Sequence, residues 1–139
     1  MSEENKAAVR KVYDAINAGD MVALAETMAD DVVEHEEIPG LGHGKDDVIQ
    51  FFTATIAAMQ GFRVDIEEII AEGDLVWTRA IATGKHTGEY MGIPASNNDL
   101  RVPLSDHFRV AGGKIKEHWG VMDGGAMLMQ MGVVEMPGA

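Results

Sequence analysis

The sequence predicts an α+β domain in which a curved antiparallel sheet wraps around N-terminal helices as a cone. In residues 3–60 apolar side chains recur at helical spacing, and from residue 62 onward the spacing changes to the alternation typical of strands. Helices followed by strands indicate this fold class rather than a parallel α/β fold. With 139 residues, 46% of them hydrophobic, the chain has the size and composition of one domain, residues 1–139.

Three helices are predicted before the sheet. The first covers residues 3–17 and ends at Gly19, where a helix C-terminal glycine is typical. Asp20 can cap a second, short helix that runs to Met28. A short strand then leads into a loop rich in proline and glycine, and the third helix spans residues 45–60.

Four further strands follow, each with residues of alternating polarity. Short turns containing glycine connect the first strand to the second and the third to the fourth. A sheet covered by helices on one face only must curve around them, which leaves either a solid core or a cavity inside the cone. The predicted strands are residues 62–70, 75–84, 100–110 and 114–123.

Asp106 is the most informative residue of the third of these strands. It shares one face with Leu104, Phe108 and Val110, and this apolar face is predicted to be buried. A carboxylate among apolar neighbours has a raised pKa unless a cation or a hydrogen-bond donor meets it. An inward Arg79 could supply that charge, and the alternative is a surface Arg79 whose stem covers apolar area.

Alternation in residues 114–123 does not decide whether His118 or Trp119 faces the interior. Hydrophobicity alone would turn Trp119 inward. If a second copy of the chain covers the outer face of the sheet, Trp119 suits that interface, and His118 points into the cavity beside Asp106. We therefore expect a homodimer formed through the outer sheet face, including Trp119.

The composition excludes several classes of partner. A formal net charge of −12 repels the backbone of nucleic acids, and no basic amphipathic segment indicates binding to a membrane surface. The chain has no cysteine, residues 1–11 lack the apolar region of a signal peptide, and no apolar run is long enough to span a membrane, so a cytoplasmic location is expected. No cofactor is expected, and no metal site, because His35, Glu36, His43 and His86 lack a metal-binding spacing.

Several segments in one consistent order resemble the SnoaL-like polyketide cyclases and the predicted ester cyclases of the nuclear transport factor 2-like superfamily. The segments are HTGEYMGIP (residues 86–94), DHFRVAGGKIKEHW (residues 106–119) and LMQMG (residues 128–132). The resemblance implies a cone with a ligand cavity, usually in a homodimer. It also implies that Asp106 and His118 line the cavity while Trp119 faces outward.

One position departs from the family pattern. In the characterised polyketide cyclases the aspartate that acts as general acid and base directly follows the His-Trp pair, and this chain has Gly120 there. The related limonene epoxide hydrolases use an arginine and two aspartates, where this chain offers Arg79, Ile81 and Gly120. The chain therefore lacks the catalytic carboxylates of both groups at the matching positions.

Asp106 and His118 remain as the predicted catalytic pair, because a carboxylate can fix an imidazole that exchanges protons near neutral pH. The predicted reaction is an isomerisation, cyclisation or hydration of a small, mostly apolar carbonyl or polyketide-like compound. The alternative is that the two side chains only satisfy each other and the protein binds a small molecule without converting it. The residues predicted to contact the substrate are Arg79, His35, Trp77, Tyr13, Phe51, Phe108 and Met122.

Overall fold

A curved sheet packed against helices on one face forms the fold, in a computed structural model that describes residues 2–135. The predicted α+β class and the curved sheet are confirmed. The helices are α1 (Ser2–Ala18), α2 (Met21–Thr27), α3 (Lys45–Ala58) and α4 (Gly124–Gln130). The strands are β1 (Met28–Glu34), β2 (Met59–Glu72), β3 (Leu75–His86), β4 (Asp99–Ala111) and β5 (Lys114–Met122).

The five strands lie in the order β1-β5-β4-β3-β2. Strands β2 to β5 are antiparallel neighbours, as predicted, whereas β1 pairs with β5 in parallel. No hairpin joins β1 to β5, because most of the chain separates them, so the turn chemistry that dictates antiparallel pairing elsewhere does not act on β1. This parallel pairing places the end of β1 beside the middle of β5.

The helix boundaries follow from local chemistry. The Asp20 carboxylate accepts a hydrogen bond from the Ala23 N–H at 2.9 Å and caps α2, as predicted. Helix α3 ends two residues earlier than predicted, at Ala58, because Met59 already pairs with His86 as the first residue of β2. Met59 is buried against the sheet, so tertiary packing overrides the helical pattern at this point.

The main core lies between α1, α2 and the concave face of the sheet. On β3 the side chains under α1 are small, with Val76 and Ala80 fully buried and Thr78 only 2% exposed. The larger residues of β3, Trp77 and Arg79, therefore lie on the convex face. The most deeply buried large side chains of the core are Leu24, Ile115, His86, Val9 and Val76.

Strand β5 contains a bulge near its start. Ile115 pairs with Val110 and Glu117 pairs with Arg109, so β5 advances by two residues while β4 advances by one. Lys116 is the extra residue, and it forms an ion pair with Asp31 of β1 at 2.7 Å. The bulge shifts the alternation, so that Ile115 is buried on the concave side and His118 still faces that side.

Helix α4 was not predicted from the sequence. The Asp123 carboxylate caps it by accepting a hydrogen bond from the Ala126 N–H at 2.9 Å. The Gln130 side chain then bonds the backbone of Arg101 in both directions and fastens the helix to β4. Among residues 2–135, no helix has the length and apolar character that crossing a membrane requires.

Candidate functional site

A largely apolar cavity lies between helices α1 and α3 and the concave face of the sheet, with a volume of about 150 Å³. An apolar cavity of roughly this volume accommodates one aromatic ring. Most of its wall is aliphatic or aromatic, and a group of polar side chains converges at one end, which is the composition typical of small-molecule sites. This polar group consists of Tyr13, Glu34, Glu36, Asp106 and His118.

His118 is held between two carboxylates. Its Nε2 lies 2.8 Å from an oxygen of Asp106, and its Nδ1 lies 2.6 Å from an oxygen of Glu34. The structure thus brings Asp106 and His118 into contact, and their catalytic role stays a prediction. The strand register explains both contacts, because Glu34 pairs directly with His118 across the parallel β1–β5 ladder, and Asp106 is its diagonal neighbour on β4.

The two carboxylates keep the His118 imidazole protonated. Burial alone would lower the pKa of His118, but the hydrogen bonds and the negative charges of Asp106 and Glu34 raise it to about 10. At neutral pH the ring is therefore an imidazolium that donates one hydrogen bond to each carboxylate. Both of its nitrogens are occupied by protein groups.

Asp106 receives a second hydrogen bond, from Tyr13 on α1. The Tyr13 hydroxyl lies 2.5 Å from the other Asp106 oxygen and 2.6 Å from the hydroxyl of Thr78. Burial, reinforced by the charge of Asp106, raises the pKa of Tyr13 far above its ordinary range. Tyr13 therefore stays protonated and donates to Asp106, while it accepts a hydrogen bond from Thr78.

Glu36 brings a third carboxylate to the same end of the cavity. One ligand atom each from Glu36, Asp106 and His118 lie within 4.8 Å of one another, a spacing that could hold a metal ion. A metal would have to displace the Asp106 or Glu34 carboxylate from His118, because each ring nitrogen already makes a hydrogen bond. This arrangement fits a hydrogen-bonded acid-base group better than a metal centre.

Four of the residues predicted to contact a substrate line the cavity: Tyr13, Phe51, Phe108 and Met122. Phe108 and Met122 face inward because they lie in register with His118 and Leu104 on the concave face. Phe51 reaches the cavity from α3. Their position on the wall is as predicted, and their contact with a substrate stays a prediction.

Arg79 does not face the cavity, so of the two positions left open by the sequence the structure shows the surface one, away from the predicted substrate contacts. Its side chain is 57% exposed and pairs with Glu67 at 3.1 Å on the convex face. The positive charge beside Asp106 comes from His118 instead. Thr78 takes the inward position opposite Asp106, because only a small side chain fits beneath α1.

His35 and Trp77 also lie outside the cavity, contrary to the prediction that they contact the substrate. The His35 ring stacks on Trp119 with centroids 4.6 Å apart and meets Glu117 at 3.1 Å. Trp77 packs against His107 on the convex face, with centroids 4.7 Å apart. Alternation turns both side chains away from the cavity, since the inward neighbour of His35 is Glu34 and that of Trp77 is Val76.

The sequence analysis missed two site residues: Glu34, a hydrogen-bond partner of His118, and Glu36, which lies at the same end of the cavity. The pattern that could have found them is the alternation of Val32, Glu34 and Glu36, in which the buried Val32 sets the face. His35, the histidine of the segment VVEHEE (residues 32–37), was predicted to contact the substrate, but its side chain points away from Glu34 and Glu36. Charged residues in a short strand are ordinarily expected on the surface, so the alternation alone did not indicate that these glutamates face the interior.

Comparison with known proteins identifies related sequences and structures. The family model of the SnoaL-like polyketide cyclases matches residues 6–131. IdmH, a candidate polyketide cyclase from Streptomyces antibioticus, has 30% sequence identity and a TM-score of 0.80, over 93% of this chain and 99% of IdmH. No functionally curated protein is similar enough in sequence to match the chain.

Two further solved structures share the fold. AclR, a candidate hydroxylase from Streptomyces galilaeus, has 24% identity and a TM-score of 0.84, over 96% of this chain and 98% of AclR. A candidate SnoaL-like polyketide cyclase from Jannaschia sp. CCS1 has 23% identity and a TM-score of 0.84, over 96% of this chain and 95% of its own. At this level of identity the likeness shows the fold alone.

Proposed function

Because the chain belongs to the SnoaL-like polyketide cyclase family, we propose that it binds a small, mostly apolar carbonyl compound in the cavity and converts it by acid-base chemistry. The reaction class is an isomerisation, cyclisation or hydration. The observation that carries the proposal is the hydrogen-bonded group of Glu34, His118, Asp106 and Tyr13 at one end of an otherwise apolar cavity. A perturbed ionisable group in a cleft is typical of a functional site.

The cavity supports the substrate class. A volume of about 150 Å³ and an apolar wall favour a compact ring compound over a charged metabolite. The formal charge of −12 further disfavours an anionic ligand. A carbonyl group gives such a compound one polar end, which can approach the polar end of the cavity.

A specific observation favours the alternative, a binding protein without catalysis. Both nitrogens of His118 and both oxygens of Asp106 are already paired within the protein. Buried polar groups commonly satisfy one another for structural reasons alone. The two functions differ in whether a bound carbonyl compound leaves the cavity changed.

Isomerisation of a β,γ-unsaturated cyclohexenone to its conjugated isomer tests the proposal, because the reaction moves one proton and is followed by ultraviolet absorbance. We expect the wild-type protein to accelerate it, and we expect the rate of the Asp106→Asn variant to be at least about 100-fold lower, because the substitution disrupts the hydrogen-bonded group that carries the proposal. The His118→Ala variant is also expected to lose its rate acceleration.

Asp99→Asn serves as the matched control, because Asp99 is an exposed carboxylate on the same strand. Its rate should equal that of the wild-type protein. Full activity in both Asp106→Asn and His118→Ala would contradict the acid-base function. A cyclohexenone that binds the wild-type protein and is recovered unchanged would favour the non-catalytic alternative.

The homodimer and the cytoplasmic location stay predictions. The convex face of the sheet supports a dimer, since Val121 is 73% exposed there and Trp119 lies beside Arg109, at 6.0 Å from ring centroid to guanidinium. We expect sedimentation velocity at several concentrations to give the mass of two chains, and Trp119→Glu to give one. A wild-type chain that sediments as a monomer throughout would refute the dimer.

A further inference from the structure

Gly120 leaves a space on the floor of the polar end of the cavity, and the Glu36 carboxylate occupies it. A methyl group built onto Gly120 would lie 2.1 Å from an oxygen of Glu36. The same methyl group would lie 2.9 Å from Cε1 of His118 and 3.1 Å from an oxygen of Asp106. The missing side chain at position 120 thus leaves room for a carboxylate from the segment after β1, whose oxygen lies within 4.8 Å of the His118–Asp106 pair.

Glu36 differs from the other carboxylates of this group in its partners. Glu34 and Asp106 each accept a hydrogen bond from His118, and Asp106 accepts another from Tyr13. Within residues 2–135 the structure gives the Glu36 carboxylate no hydrogen-bond donor, although it lines the cavity. A carboxylate without a donor in a mostly apolar cavity is free to bind a proton taken from a ligand.

We propose that Glu36 is the catalytic base and acid of this site, removing a proton from the bound compound and returning it. This inference rests on the proposed function and assigns the proton transfer within it. Asp106 and His118 then act as positioning residues that hold charge around Glu36. Their own protons stay in the hydrogen bonds that join them.

The surroundings of Glu36 suit this task. Burial, the largest influence, raises the pKa of Glu36, the imidazolium of His118 opposes this, and the charges of Asp106 and Glu34 reinforce it. Tyr90, which lines the cavity from the loop after β3, is a further titratable neighbour of Glu36. A raised pKa makes the carboxylate a stronger base, and the proton that it takes up can be returned to the ligand.

The proton balance of the step is simple. Glu36 takes a proton from the carbon next to the carbonyl group. The electron pair of that C–H bond forms a C=C bond, and the π pair of the carbonyl group moves onto its oxygen, which gives an enolate. For an isomerisation, the protonated Glu36 returns the proton to another carbon of the same molecule. For a cyclisation, the enolate carbon bonds to a second carbonyl carbon, and the proton goes to the resulting alkoxide.

Ring opening of nitrobenzisoxazole tests the base directly and needs no knowledge of the natural substrate. A base removes the ring C–H proton, the N–O bond breaks, and a coloured cyanophenolate forms. We expect the wild-type protein to accelerate this reaction and Glu36→Gln to lower kcat/KM at least about 100-fold. Glu37→Gln, the adjacent glutamate with an 87% exposed side chain, is the matched control and should not change the rate.

The pH profile separates a catalytic from a structural role. The wild-type rate should rise with pH around a midpoint above 4.5, the ordinary glutamate value. Asp106→Asn should lower that midpoint, because it removes a charge that disfavours ionised Glu36. The double variant Glu36→Ala with Gly120→Asp returns a carboxylate to the same space from β5 and should recover at least about tenfold over Glu36→Ala alone.

Two results overturn the inference. The first is a Glu36→Gln variant as fast as the wild-type protein on nitrobenzisoxazole, and the second is a wild-type protein no faster than acetate at equal concentration. The proposed function is judged separately, by the cyclohexenone reaction and the Asp106→Asn variant. A protein that isomerises the cyclohexenone with Glu36→Gln at full rate would keep the function and discard Glu36 as its base.

Discussion

Replacing His118 with alanine is expected to lower the free energy of unfolding by about 3 to 5 kcal/mol, the cost of removing one partner from a buried ion pair. The reason is that Glu34 is only 7% exposed and Asp106 only 15% exposed, and each carboxylate loses one of its two hydrogen-bond donors. Two carboxylates then face each other across the space left by the ring. Urea denaturation followed by tryptophan fluorescence measures the change.

The same variant is expected to lose a pH dependence that the wild-type protein has. The His118 pKa rises from 6.5 to about 10 on folding, so the imidazolium stabilises the fold fully below pH 6.5 and this contribution is lost as the pH rises through about 10. The wild-type free energy of unfolding should decline across this window. His118→Ala should lack this decline.

His107→Ala is the matched control for His118→Ala. His107 lies on β4, faces the convex side and packs against Trp77, and burial lowers its pKa. It should give only a small change in stability and keep the decline at alkaline pH. Equal stability losses in the two alanine variants would show that the Glu34–His118–Asp106 group does not stabilise the fold.

Replacing Gly120 with alanine is expected to slow ring opening of nitrobenzisoxazole by about 100-fold, close to the loss in Glu36→Gln. The added methyl group lies 2.1 Å from Glu36, so this carboxylate must leave its place. Glu36 is at the end of a flexible side chain and can swing aside. The effect on activity should therefore exceed the effect on stability, although no polar group is removed.

Gly124→Ala provides the control for this substitution, because a methyl group on Gly124 meets nothing within 4 Å. Carboxyl carbon chemical shifts, followed through a pH titration, report the position of Glu36. In Gly120→Ala its pKa should fall toward the ordinary glutamate value as the carboxylate moves to solvent. A Gly120→Ala variant with the wild-type rate would mean that the space beside His118 has no role in catalysis.

Regular alternation made much of the concave face predictable. In β4 the residues Leu104, Asp106, Phe108 and Val110 face inward as predicted, because no bulge interrupts them and three of the four are apolar. The helical spacing of Val9, Val12, Tyr13 and Ile16 in α1 likewise indicates which face of this helix is buried. These elements were predictable because each residue's environment follows from its position in one uninterrupted period.

The predicted substrate contacts of Trp77 and Arg79 on β3 fail because of side-chain size. The space beneath α1 is narrow and holds Val76, Thr78 and Ala80. Side-chain size, rather than polarity, decides which face of this strand is covered. The distance between a helix and a strand cannot be read from the sequence of the strand alone.

The carboxylates of the site were harder to foresee. Glu34 and Glu36 belong to an acidic segment that resembles a solvated surface. Their burial depends on the parallel pairing of β1 with β5, which brings Glu34 beside His118. Glu34 and His118 are 84 residues apart in the sequence. The two strands that carry them must therefore be paired correctly before the site can be recognised.

The bulge in β5 gives the hairpin one residue beyond what alternation requires. Because Lys116 and Glu117 together oppose a single residue of β4, loss of Lys116 would leave Ile115 and His118 both facing inward in a regular hairpin. Loss of one residue between His118 and Met122 would instead turn the rest of the strand over. In evolutionary terms, deletion of the codon for Lys116 would leave His118 facing the cavity. Deletion of a codon between His118 and Met122 would turn the following side chains to the other face of the sheet.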